Sequence, residues 1–276
     1  MKKPLVSVEW LQENINDPKL IVLDASVKNT IANIETDYPG IQIKDARFFD
    51  IKNVFSDKEN NLPNTLPSPE AFTTECRKLG INKDSIVVVY DNLGIYSSPR
   101  GWWMFHIMGF NNVVVLDGGL PTWVKKGLET EPKEVKEYTT GDFTAKYQND
   151  YVVDKGDIFK NIEEKQSLVL DARSKARFYA EVPEPRAGSR SGHIPNSISL
   201  PYTLLIKDGK FLLKSELEKI INEFNLSDSP LVFTCGSGMT ACIILLACQL
   251  INKNKKSLYD GSWAEWGQEN GLPIST

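Results

Sequence analysis

Short apolar runs recur along the chain, each closed by a polar or reactive residue. Leu20–Ser26 reads LIVLDAS and Leu168–Arg173 reads LVLDAR; Ser85–Asp91 reads SIVVVYD and Pro230–Cys235 reads PLVFTC. Runs this brief and apolar on both faces predict buried parallel strands. Between them lie segments of helical period. Ser68-Pro69-Glu70 supplies a cap, a first-turn proline and an acidic residue, predicting a helix through Leu79. Ser215–Phe224 predicts its counterpart. Strands alternating with helices predict α/β architecture, a parallel sheet flanked by helices.

The same pattern is written twice. Asp24 and Asp171 lie 147 positions apart, and Asp91 and Cys235 lie 144 apart. Trp123 and Trp266, which close VVVLDGGLPTW and KSLYDGSWAEW, lie 143 apart. Three motifs in one order at nearly one offset mean a tandem duplication. The expected organisation is an N-terminal domain over 1–130, a linker over 131–150 and a C-terminal domain over 151–276. Glu129–Asp150, polar and without clear apolar period, is the natural connection.

Composition narrows the class. The 276 residues are 41% hydrophobic and 25% charged, with net charge −4, which excludes a disordered chain and disfavours a nucleic-acid partner. The longest apolar run, Ala241–Cys248, is far shorter than the roughly 20 residues of a membrane span. Met1–Trp10 has no apolar stretch of signal-peptide length, so a cytoplasmic location is expected. Four cysteines without a C-x-x-C pair, and two histidines, predict free thiols and no metal site. His193, in SGHIPNS, is expected to shape a turn, and His106 to pack in its helix beside Trp102, Trp103 and Phe105. Lys253, Lys255 and Lys256 predict a solvated loop or helix end.

The two copies differ where chemistry is expected. Asp91 in the first corresponds to Cys235 in the second, which is followed by Gly236-Ser237-Gly238-Met239-Thr240-Ala241 and an apolar helix. Loops at the carboxyl ends of parallel strands are the usual ligand sites. Glycines let successive amides converge, and the helix adds its positive end. A cysteine there is expected to be nucleophilic without a histidine base. A buried structural thiol is the alternative; it suits Cys242 and Cys248 in the apolar helix, while Cys76 is expected to be incidental. A cysteine phosphatase would close its loop with an arginine six residues on, where this chain has Ala241.

The run CGSGMTA resembles the active-site loop of the tandem-domain rhodanese-like sulfurtransferases, and among them that of the 3-mercaptopyruvate sulfurtransferases, usually CGSGVTA; rhodaneses that use thiosulfate usually have CRKGVTA. Further segments carry the likeness across nearly the whole chain: IYSSPRGWWM and LDGGLPTW in the first copy, DARSKARF, VPEPR, SGHIPNS and YDGSWAEW in the second. The resemblance implies a silent first domain and a second that carries sulfur from 3-mercaptopyruvate, as a Cys235 persulfide, to a thiol acceptor such as thioredoxin or a small thiol, or to cyanide. It implies no cofactor. It implies that Arg177 and Arg186 hold the donor's carboxylate and carbonyl, that Ser237 polarises the donor or stabilises the departing enolate, that Gly236, Gly238, Met239 and Thr240 bind the substrate in the loop, and that Tyr96 lines the substrate cleft from the first domain. Two positions depart from the family pattern: Lys52 stands where an acidic relay partner of the serine is usual, and Asn64 stands where a histidine is usual. The relay is therefore not expected here, and Lys52 leaves thiosulfate open as the donor. A persulfide-holding module without turnover is the alternative of another class.

Overall fold

The computed structural model describes residues 3–28, 30, 33–224, 226, 228–251 and 254–276. Two compact units result. The first comprises 1–58, 66–148 and 208–211; the second comprises 59–65, 149–207 and 212–276. Each is built on a five-stranded parallel sheet. In the first the order is Leu5–Val6, Val113–Leu116, Ile86–Tyr90, Leu20–Asp24, Arg47–Phe48. In the second it is Val152–Val153, Lys256–Tyr259, Leu231–Thr234, Leu168–Asp171, Ile198–Ser199. Chain order maps onto sheet order identically in both, as a duplication requires. The strands predicted from apolar runs are the central ones, buried on both faces by helices.

The helix predicted after Ser68 runs over Pro69–Lys78, with the Ser68 hydroxyl accepting from the Ala71 amide. Its counterpart begins one residue before Ser215, over Lys214–Asn222, because the Glu216 carboxylate reaches back to the Leu213 amide at 3.0 Å and supplies the start signal instead. The apolar run Ala241–Cys248 is buried throughout in the helix Ala241–Ile251. Cys76, expected to be incidental, is wholly buried, and desolvation pushes its thiol up. Lys256 departs from the expected solvated loop: it opens a central strand, is buried, and donates to the Asn254 carbonyl at 2.8 Å. Lys253 lies outside the described residues.

Residues 131–148 belong to the first unit. Thr130–Pro132 pairs antiparallel with Ile41–Ile43. The Lys133 ammonium lies 2.5 Å from the buried Asp24 carboxylate. Phe143 is buried among Phe72, Phe105 and Phe110, and its carbonyl accepts from Arg77 Nε at 2.7 Å. Polar sequence without periodicity is here an irregular strap, ordered by side-chain contacts. Among the described residues no helix is long and apolar enough to cross a membrane.

Candidate active site

Strand Leu231–Thr234 delivers Cys235 to the carboxyl edge of the second sheet, and the helix from Ala241 begins six residues later. Cys235 through Met239 are all buried. Gly238 turns the chain at φ 73°, a conformation that glycine adopts without strain. The loop is tied from below by Ser262, which is fully buried at φ 51°. Ser262 Oγ accepts from the amides of Cys235 and Gly238 at 3.3 and 3.1 Å and donates to the Tyr259 carbonyl at 2.8 Å. The Cys235 and Gly236 carbonyls in turn accept from the Trp263 and Ala264 amides. Among the described residues nothing accepts from the amides of Gly236, Ser237, Met239 or Thr240. Buried donors without acceptors are costly unless a ligand or water meets them. Together with the helix end they form a concavity that favours negative charge.

The first unit shows the same loop filled. Asp91 follows Ile86–Tyr90 as Cys235 follows its strand. Its fully buried carboxylate accepts from the amides of Tyr96, Ser97 and Ser98 at 2.8 to 3.0 Å, from Ser98 Oγ at 2.6 Å, and through its other oxygen from the Leu93 amide at 3.0 Å. The amides that would bind an anion are thus spent on the chain's own side chain. In the second unit a thiol replaces that carboxylate, and the amides of Gly236, Ser237, Met239 and Thr240 meet no acceptor among the described residues.

Beside the open loop sits an arginine cluster. Arg177, on the short helix Lys175–Phe178, gives Nε and Nη2 to the two oxygens of Glu184 at 3.0 and 2.6 Å. Glu184, nearly buried, also accepts from Arg173 Nη1 at 3.0 Å. Arg173 is itself buried against the Trp263 ring and forked onto Asp171. A Cβ placed on Gly236 would stand 3.1 Å from Arg177 Nη2, so the missing side chain at 236 admits the guanidinium to the loop. Arg186 is half-buried, and its guanidinium makes no hydrogen bond or ion pair with any described residue. Burial lowers its affinity for its proton; Glu184 opposes this and Arg177 adds to it. A guanidinium that no described residue hydrogen-bonds, next to amides that no described residue fills, fits an anionic ligand.

Of the residues expected from sequence, Cys235, Gly236, Ser237, Gly238, Met239, Thr240, Arg177 and Arg186 all belong to the second unit. Tyr96 belongs to the first unit, buried in the loop that Asp91 fills. Lys52 is also there, its ammonium 3.0 Å from the Lys28 carbonyl. Asn64 is carried by the segment 59–65 into the second unit, where its amide nitrogen meets the Ser237 hydroxyl and carbonyl at 3.0 and 3.2 Å. His193 shapes structure, stacked on Phe178 with Nδ1 3.0 Å from the Phe178 carbonyl. Sequence reasoning gave no role to Ser262, Glu184 or Arg173. One signal for Ser262 was present: its counterpart one repeat earlier is Gly119, at φ 44°, so a left-handed position had exchanged glycine for a hydroxyl. Among the described residues no cluster of three or more His, Cys, Asp or Glu is arranged to hold a metal.

The model of the rhodanese-like domain matches twice, over residues 7–126 and 155–269. The 3-mercaptopyruvate sulfurtransferase of Escherichia coli (strain K12) is 38% identical over 273 residues, covering 98% of this chain and 96% of that protein. The thiosulfate sulfurtransferase of Rattus norvegicus is 36% identical over 276 residues, covering 96% and 92%. The crystal structure of the 3-mercaptopyruvate sulfotransferase SseA from Escherichia coli superposes with a TM-score of 0.82 at 37% identity, covering 95% of this chain and 99% of that one.

Proposed function

The chain belongs to the rhodanese-like family, carries its domain twice and is a sulfurtransferase, and from that premise we propose that it takes sulfur from 3-mercaptopyruvate through a persulfide on Cys235. The observation that carries this reading is the unfilled amide loop around Cys235, set against the Asp91-filled copy. The thiolate of Cys235 attacks the donor's sulfur. A sulfur–sulfur bond forms, the carbon–sulfur bond breaks, and its electron pair enters the carbonyl as the enolate of pyruvate, which is then protonated at carbon. An acceptor thiolate next attacks the outer sulfur and releases Cys235. Arg186, its guanidinium without a hydrogen-bond partner among the described residues, takes the donor carboxylate, and Arg177, braced by Glu184, meets the adjacent oxo group. Ser237 and the loop amides face the charge that develops.

Thiosulfate is the second reading, supported by the rat relative and countered by the neutral Gly236-Ser237 pair. Four free cysteines fit a reducing compartment such as the cytoplasm, where thiol acceptors, thioredoxin among them, are at hand. The test is turnover with each donor, cyanide as acceptor and thiocyanate as readout, for the intact chain and Cys235→Ser. Faster turnover on 3-mercaptopyruvate, abolished in the variant, supports the proposal. A preference for thiosulfate overturns the donor assignment, and turnover that survives the substitution overturns the persulfide.

A further inference from the structure

Ser237 is buried, and a hydroxyl has one proton to give and two lone pairs to offer. Asn64 Nδ2 lies 3.0 Å from Ser237 Oγ and 3.2 Å from the Ser237 carbonyl oxygen. A carbonyl only accepts, so it is the amide nitrogen of Asn64, not the oxygen, that faces the serine. An amide N–H only donates, so Ser237 Oγ accepts from it. The serine's proton is thereby turned away from Asn64, and no described residue accepts it. A hydroxyl that accepts one bond is a stronger donor in the next. The backbone at 64 favours this residue type, since Asn64 sits at φ 60°, a left-handed conformation in which asparagine is enriched.

Resting on the sulfur-transfer reading proposed for this chain, we propose that Asn64 is a positioning residue that locks the Ser237 hydroxyl as a fixed donor toward the enolate oxygen formed during sulfur loading. Asn64 neither gives up nor takes a proton in the step. Its effect is confined to loading, because the enolate forms only there; transfer of the outer sulfur to the acceptor places no charge on that oxygen. An amide also does not titrate, so this position contributes no pH dependence of its own.

The experiment measures two half-reactions in the purified full chain: pyruvate release during loading from 3-mercaptopyruvate, and thiocyanate release from the fully loaded enzyme on adding cyanide. Asn64→Asp keeps the shape and the tolerance of positive φ but only accepts, so it draws the Ser237 proton to itself. Loading is expected to fall roughly tenfold or more, as in Ser237→Ala, with no further fall in the double variant. Thiocyanate release should be unchanged. Asn64→His, whose neutral ring can accept the proton, should add to loading a titration near the ordinary histidine range of about 6.5. Loading at the original rate in Asn64→Asp, losses that multiply in the double variant, unloading slowed in parallel, or no added titration in Asn64→His each overturn the inference. An unsubstituted chain that does not load from 3-mercaptopyruvate overturns the donor assignment and this inference with it.

Discussion

Arg177 and Arg186 carry the same charge with different freedom. Arg177 is spent on Glu184 through two bonds, while the Arg186 guanidinium meets no described partner. On the proposed reading, truncating Arg186 removes a donor contact and no bond to a described residue. Arg186→Ala should raise KM for 3-mercaptopyruvate by roughly ten- to a hundredfold, the worth of a charged hydrogen bond of about 1.5 to 3 kcal/mol, with the urea midpoint unchanged. Arg177→Ala should lower both kcat/KM and that midpoint, because it strips the buried Glu184 of its two-bond partner and leaves it, among the described residues, the single ion pair to Arg173. Gly236 gives the complementary test. Its φ lies outside the left-handed region, so alanine costs the backbone nothing, yet the new Cβ stands 3.1 Å from Arg177 Nη2. Gly236→Ala should fold normally and lose roughly tenfold in kcat/KM, about 1.4 kcal/mol, by displacing that guanidinium. The two arginines and the loop glycine were legible in sequence as residue types. Their division of labour was not, because it depends on Glu184, whose place in VPEPR says nothing of the fork that closes on it.

At the scale of elements, two residues tie segments of the second unit together: Ser262, at the start of the helix Ser262–Trp266, and His193, in SGHIPNS. Ser262 ties two loop amides to the Tyr259 carbonyl through one hydroxyl. Ser262→Ala leaves those amides unpaired in the interior and should destabilise the protein by about 1 to 3 kcal/mol in urea unfolding. His193 pins the last residues, exchanging backbone bonds with Ser275 at 2.8 and 3.0 Å. Burial holds its ring below the ordinary histidine value, the Phe178 carbonyl and Asp171 opposing and Arg173 adding. The unfolded chain therefore binds a proton at about pH 6.5 that the folded chain refuses until lower pH. The stability this confers is complete above that value and is lost as pH falls from it through the lower folded-state value. The thermal midpoint should drop between pH 7 and pH 5, with a shallower drop in His193→Gln; His106, also lowered by burial, contributes in the same direction. Strands and capped helices were readable because apolar runs and caps act locally. The strap over 133–148 was not, since Lys133 finds Asp24 and Arg77 finds Phe143 only after folding.

Across the whole molecule, duplication produced two loops with opposite fates. The first fills its amides with Asp91; in the second, four amides around Cys235 meet no acceptor among the described residues. Sequence alignment of the copies located this difference but gave no reason for it, since the five donors converging on Asp91 exist only in the fold. Filling has a structural consequence: Asp91→Ala strips a buried acceptor from all five and should cost at least about 3 kcal/mol. Reactivity does not follow from exchanging the residue alone. The stretch after the first copy's Asp24 has no arginine before Arg47, so nothing there corresponds to the pair Arg177 and Arg186. Asn64 is likewise committed to the second unit by the segment 59–65. A chain combining Cys235→Ser with Asp91→Cys should therefore form no thiocyanate from 3-mercaptopyruvate. Its new thiol has the strand end and the loop but neither the guanidiniums to seat the donor nor an oriented hydroxyl to meet the enolate. Turnover in that double variant would show that the amide loop alone suffices for sulfur loading, and would remove the arginines and Ser237 from the chemistry.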